Sequence, residues 1–179
     1  MLKRTGLALA AVSLMAVSAF AGPIASGLKP GQPVGAFDVV DVNGPNKGKQ
    51  LCYRCQYGRQ PVVAAFIKSS PAESAGLVGG IQKLVEEHQG KGLKSFIVFM
   101  GGPELKPAIE KLAAEKKVTV PMTFLPEGPG ASDIAAYKIN PEAKNTVMLW
   151  NKGAVHASVA DVTRESWSEV TRAAEEMLK

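Results

Sequence analysis

The chain has 179 residues, of which 46% are hydrophobic and 21% charged, and its formal net charge is +5. A chain of this size suits one domain with a core large enough to fold unaided. Its lysines are scattered and interleaved with glutamates, as in Glu104-Leu105-Lys106 and Glu110-Lys111. That is a solvated surface, which argues against nucleic acid as a partner.

In chain order, Lys3 and Arg4 form a short positive region and Gly6 to Val17 is almost wholly apolar. Ser18-Ala19-Phe20-Ala21 then offers an Ala-x-Ala cleavage site. Residues 1–21 therefore read as a signal peptide, whose removal leaves 179 − 21 = 158 residues. The apolar run is shorter than the roughly 20 residues a bilayer span needs, although an uncleaved anchor is the alternative. With no cysteine at the cleavage site, a lipid anchor is not expected. The expected location is periplasmic or secreted, with no membrane attachment after cleavage.

Residues 22–36 are rich in Gly and Pro and read as an irregular leader, followed by one domain over 37–179. Phe37 to Val42 alternates like a half-buried strand, and Asn43 to Gly48 is turn chemistry throughout. After the segment Leu51-Cys52-Tyr53-Arg54-Cys55-Gln56-Tyr57-Gly58, Pro61 to Ile67 is continuously apolar. A strand buried on both faces at the centre of a sheet reads this way. A helix is expected next, with Ser70 as cap, Pro71 in the first turn and Glu73 returning the cap. Leu77, Ile81, Leu84, Val85 and His88 fall on one stripe of it. Gly76, Gly79 and Gly80 weaken its first half, at about 1 kcal/mol each, and close packing on the sheet is the expected reason for them.

Phe96 to Met100 reads as a second buried strand, and a helix starts at Pro103 with Leu105, Ile109, Leu112 and Ala113 inward. Residues 118–125 are extended but interrupted by Pro121, and Asp133 to Tyr137 suits a short helix. Thr146–Trp150 and Ala154–Val159 form a hairpin about Asn151-Lys152-Gly153. Thr163 or Ser166 caps a last helix with Trp167, Val170, Ala174 and Met177 inward. The order predicts an α/β fold with a mixed central sheet flanked by helices.

Cys52 and Cys55 are the only cysteines, and in an exported chain they are expected to be oxidised to each other. So small a loop yields the low end of disulfide stabilisation, which favours a local or redox role. A reactive thiol needs a lowered pKa. This pair precedes a strand and is expected to lack a helix N-terminus, so Lys49, Arg54 and Arg59 are the candidate sources of positive charge. Two readings stay open. In one, Cys52 and Cys55 are a displaced redox pair tuned by Arg54, with Tyr53, Tyr57 and Arg59 as a recognition surface. In the other, the disulfide stiffens a loop and does no chemistry. A metal site is the weaker reading, because a closed zinc site wants four ligands and only His88 and His156 supplement the thiols. A copper site with Met100 or Met122 is weaker still. Gln56 in place of a histidine after Cys55 disfavours covalent haem, and no cofactor is expected. Gly101-Gly102-Pro103 lacks the Lys-Ser/Thr of a phosphate loop.

Three segments carry a resemblance. They are Val34-Gly35-Ala36-Phe37-Asp38-Val39-Val40-Asp41-Val42-Asn43-Gly44, then Pro61-Val62-Val63-Ala64-Ala65-Phe66, then Asn145-Thr146-Val147-Met148-Leu149-Trp150-Asn151-Lys152-Gly153-Ala154-Val155. In this order, and over residues 31–179, the chain resembles the thioredoxin superfamily and its redoxin branch of alkyl hydroperoxide reductases and thiol-specific antioxidants. The resemblance implies a thioredoxin-like fold. It also implies a reactive cysteine directly after the central strand, where this chain has Phe66-Ile67-Lys68-Ser69-Ser70-Pro71-Ala72-Glu73 and no cysteine. The superfamily's cis-proline position is occupied by Ala143-Lys144-Asn145-Thr146, with Pro121 as a substitute one strand earlier. Peroxidase activity is therefore not expected. Thiol–disulfide exchange at Cys52 and Cys55 with thiol- or disulfide-bearing proteins is the expected activity, and a non-catalytic binding or scaffold module is the alternative. The familiar site would be rebuilt from a different stretch only if the loop carried Cys52 to the helix beginning near Ser70.

Overall fold

The structure is a computed structural model that describes residues 24–130 and 132–179. The expected signal peptide, residues 1–21, lies outside the described residues. Seven strands follow one another as β1 (Val39–Asp41), β2 (Gln50–Leu51), β3 (Val62–Ile67), β4 (Lys94–Phe99), β5 (Met122–Phe124), β6 (Asn145–Asn151) and β7 (Ala154–Ala160). The helices are α1 (Tyr53–Tyr57), α2 (Ala75–Glu87), α3 (Lys106–Lys116), α4 (Ser132–Ala135) and α5 (Trp167–Met177).

The strands form one sheet in the order β2-β1-β5-β4-β3-β6-β7. β3 runs parallel to β4, and β4 to β5, through the helical crossovers α2 and α3. β6 returns antiparallel to β3, pairing Val62 with Trp150 and Ile67 with Asn145, and turns into β7. All six residues of β3 are buried, which is why that stretch shows no alternation in the sequence. The sheet is mixed and flanked by helices, as the element order predicts.

Alternate strand residues feed two cores. Val63, Ala65, Ile67, Ile97 and Phe99 face α2, α3 and α5. Val62, Ala64, Phe66, Phe96 and Val98 face the other way, toward Tyr53 of α1, Ile134 of α4, and Leu28 and Val34 of the leader. The described part of the leader has no helix but is tied down. Gly31 and Val34 donate their amides to Val155 and Gly153, and Val155 donates back to Gln32. This covers part of the outer strand β7, a region that would otherwise present open backbone groups.

Two local expectations change. The capping box forms, with the Ser70 amide donating to Glu73 and the Glu73 amide to Ser70 Oγ, but one turn before α2 proper, which begins at Ala75. The glycines of α2 do not pack on the sheet. A Cβ at Gly76 or Gly79 would meet nothing within 4 Å, and one at Gly80 would meet the Trp167 ring at 3.2 Å. Gly80 is therefore the one that accommodates a neighbour, and that neighbour is α5.

Candidate functional site

The β1–β2 hairpin delivers the chain to the cysteines. Asp41, 1% exposed at the end of β1, organises its turn by accepting the Gly44 amide at 2.7 Å and the Asn46 amide at 2.8 Å. Gly44 is required here, because a Cβ would lie 2.8 Å from both the Pro121 side chain and the Tyr53 hydroxyl oxygen. Two residues after Leu51, Tyr53 turns into the core and stacks on Phe96 with centroids 5.5 Å apart. Its hydroxyl donates to Asp41 Oδ2 at 2.6 Å. Burial, and then the hydrogen bond to Asp41, hold the Tyr53 phenol well above the usual tyrosine range. Tyr57, one turn on, donates its hydroxyl to the Ser95 carbonyl at 3.0 Å. Burial first, then the Asp41 charge, push it upward too.

These two anchors convert the Cys-x-x-Cys into a helix. Cys52 is the N-cap of α1, and its Sγ accepts the Cys55 amide at 3.1 Å, as a serine cap would. Gly58, at φ 58°, ends the helix after five residues. The expectation that the cysteines lack a helix N-terminus is therefore corrected. Five residues are too few to show a 3.6-residue period, and the helix is held by two aromatic anchors that no local pattern announces. Cys52 and Cys55 are joined by a disulfide, with Cys52 half-buried and Cys55 exposed.

Of the three residues expected to modulate the pair, only Arg59 is exposed. Its carbonyl accepts the Lys152 amide at 3.1 Å, fixing the start of β3 to the β6–β7 turn. Arg54 is half-buried, and its Nε donates to the Val34 carbonyl at 3.0 Å, while Nη2 lies 3.1 Å from where a Cβ on Gly153 would sit. Its guanidinium thus ties the leader to α1 and lies close to the hairpin turn at Gly153. Tyr53 is 1% exposed and belongs to the core, not to a recognition surface. The residue that sequence reasoning missed is Asp41. A single aspartate before a turn is common, and only the fold shows that a tyrosine 12 residues later returns to it.

No family model matches this sequence, and no curated protein matches it. Solved structures do. The chain overlays the thioredoxin domain of a thiol-disulfide oxidoreductase from Bacteroides vulgatus with a TM-score of 0.65 at 14% identity, covering 85% of this chain and 99% of that one. A peroxidoxin from Mycobacterium tuberculosis overlays with a TM-score of 0.64 at 13% identity, covering 85% and 99%. Peroxiredoxin Q from Xanthomonas campestris gives 0.60 at 14% identity, covering 80% and 92%. The fold is thioredoxin-like.

Within this thioredoxin-like frame, the disulfide is at the other end of the sheet from the segment after the central strand. α1 packs where β3 and β4 begin, with Tyr57 donating to the Ser95 carbonyl, and Arg59, just after the helix, accepts the Lys152 amide there. Ser69, Ser70 and Glu73 lie beyond Ile67, where β3 ends. Six extended residues, roughly 20 Å, separate the two ends. The loop does not carry Cys52 to the helix near Ser70, so the familiar constellation is not rebuilt. That end holds Ser69, Glu73, Leu77, Gly80 and Trp167 around a cleft of about 540 Å³. Every peptide bond among the described residues is trans, including the one before Pro121. His88 caps the C-terminal end of α2 and His156 is exposed on β7. Among the described residues no group of three or more His, Cys, Asp or Glu side chains converges as a metal site.

Proposed function

We propose that this is an exported protein that exchanges thiols and disulfides through Cys52 and Cys55. One observation carries the reading. The disulfide is presented at the surface on a helix N-terminus, with Cys55 exposed and an amide donor aimed at Cys52 Sγ. An amide at a helix start favours the thiolate over the thiol. With the pair oxidised, a partner thiolate attacks one sulfur, and a mixed disulfide forms as the other cysteine leaves as a thiolate. A second partner thiol then completes the partner's disulfide and leaves Cys52 and Cys55 reduced. Two electrons pass to the pair, and the reverse sequence reduces a partner disulfide. The thiol-disulfide oxidoreductase named above shares the fold, and the signal-peptide pattern of residues 1–21 supports a disulfide-permissive compartment.

A titration against glutathione tests this. A reduction potential above about −300 mV keeps exchange open, and a more reducing value marks a structural bridge and refutes the proposal. A non-catalytic binding module is the second reading. It is favoured by the distance of the pair from the end of β3, and by the locking of α1 through Tyr53 and Tyr57.

A further inference from the structure

A thiolate that opens the disulfide can attack either sulfur, and the two are not equivalent. Cys55 is exposed, as is Gln56 beside it, whereas Cys52 is half-buried. Beyond its backbone a cysteine has only a methylene and a sulfur, and helix backbone is largely covered, so the exposed area of Cys55 lies chiefly on its side chain. Cys52 is held on both sides, by Leu51 paired with Val39 and by Tyr53, which is 1% exposed. Hydrogen bonding divides the pair in the same sense. Cys52 Sγ accepts the Cys55 amide at 3.1 Å, and among the described residues nothing donates to Cys55 Sγ. A bond to an ionised acceptor is stronger than one to a neutral acceptor, so this amide favours the pair of products in which Cys52 carries the charge. Access to the attacked sulfur and stability of the leaving thiolate both set the rate of exchange.

We infer that a partner thiolate attacks Cys55 and that Cys52 is the leaving and resolving cysteine, so the second cysteine of this Cys-x-x-Cys is the one that carries the partner. This assignment of roles rests on the exchange reading. In the first step the partner sulfur bonds to Cys55 Sγ. The Cys52–Cys55 bond breaks, and its electron pair leaves on Cys52 Sγ. The donor there is the backbone of Cys55 in α1, so it stays in place while the partner occupies the Cys55 sulfur. Tyr53 and Tyr57 anchor α1 through hydrogen bonds that do not involve the disulfide, so Cys52 keeps its cap position once the bond opens. A second thiol of the partner then attacks the partner sulfur of the mixed disulfide. Cys55 leaves as a thiolate, the partner ends as a disulfide, and the two protein thiolates take protons from water. In the reverse direction Cys55 attacks the partner disulfide and Cys52 resolves the mixed disulfide.

The oxidised full-length mature protein provides the test, with reduced glutathione as the partner. The reaction is stopped in acid within seconds, free thiols are alkylated, and the products are digested with trypsin. Cleavage after Lys49, Arg54 and Arg59 puts the two cysteines on separate peptides, Gln50–Arg54 and Cys55–Arg59, so mass spectrometry assigns each adduct. We expect glutathione on Cys55 and the alkyl group on Cys52, with the opposite product about tenfold rarer, the size of effect that one hydrogen bond to a charged sulfur supports. Thiolate absorbance gives a second measurement on single-cysteine variants. Cys52 in Cys55→Ser should titrate about one pH unit or more below Cys55 in Cys52→Ser. Glutathione mainly on Cys52, or equally on both, overturns the inference and upholds exchange. Titration of Cys55 below Cys52 also overturns it. A pair that gives no adduct and is not reduced by glutathione overturns the exchange reading, and the assignment of roles with it.

Discussion

Tyr53 and Asp41, both buried, are joined by a 2.6 Å hydrogen bond from the phenol to the carboxylate. The bond connects the helix that carries the disulfide to the turn between β1 and β2. Asp41 accepts two backbone amides as well, so one side chain holds the turn and the cysteine helix together. The geometry of the disulfide therefore depends on a residue that touches neither sulfur in the hydrogen-bond network.

Tyr53→Phe keeps the stacking on Phe96 and deletes only this bond. Hydrogen bonds to charged groups are worth about 1.5–3 kcal/mol, and the variant should lose about that much stability. Urea unfolding should show a lower midpoint with an unchanged slope. An unchanged midpoint would mean that the carboxylate is as well satisfied by the turn amides alone.

The chain has three tyrosines, and Tyr53, Tyr57 and Tyr137 all have raised phenol pKa values, with burial the leading cause in each. The unfolded chain ionises its tyrosines near pH 10. Below that pH both states are protonated and the stabilisation is fully present. Above it the unfolded state sheds protons that the folded state keeps, so stability falls as pH rises. The ultraviolet phenolate band should appear together with the loss of tertiary structure in one alkaline transition. A gradual phenolate signal in a still-folded protein would contradict the burial of these rings.

Two glycine substitutions should act in opposite directions. Gly76→Ala adds a methyl that meets nothing within 4 Å on an exposed face of α2, so it should stabilise by about 0.5–1 kcal/mol. Gly44→Ala places its methyl 2.7 Å from Asp41 Oδ2 and 2.8 Å from the Pro121 side chain, so it should cost about 1–3 kcal/mol. Thermal midpoints of the two variants against the parent decide both.

Replacing both cysteines by serine should abolish exchange with glutathione. The closed loop is very short, so the chain-entropy cost is only about 2 kcal/mol, and circular dichroism should show a native spectrum. Purified protein should also leave hydrogen peroxide unconsumed, since the segment Phe66 to Glu73 has no cysteine. Rapid peroxide loss that persists in the double variant would point to a different reactive group.

Much of the fold is legible in the chain. Pro61 to Ile67 and Phe96 to Met100 announce buried central strands because burial on both faces removes all alternation, and β3 and β4 occupy those places. The Asn151-Lys152-Gly153 turn announces the β6–β7 hairpin. The α2 stripe is legible in Ile81 and Leu84, whereas Val78, wholly buried, is not, because glycines on both sides blur the period. The site is less legible. Cys52 and Cys55 can be found by eye, but their helix cannot, and Arg54 reads as a free charge although it is engaged with the Val34 carbonyl.

By itself the sequence determined the sheet centre, the order of strands and helices apart from β2 and α1, and the absence of a cysteine after β3, since each depends on short-range patterns of burial or on residue identity. Only the tertiary structure decided where the disulfide sits and what it rests on. A five-residue helix has no period of its own, and α1 exists because Tyr53 reaches Asp41 and Tyr57 reaches Ser95 from 38 residues away. Contacts at that separation follow from how the strands are ordered in the sheet, and no local window of sequence contains them.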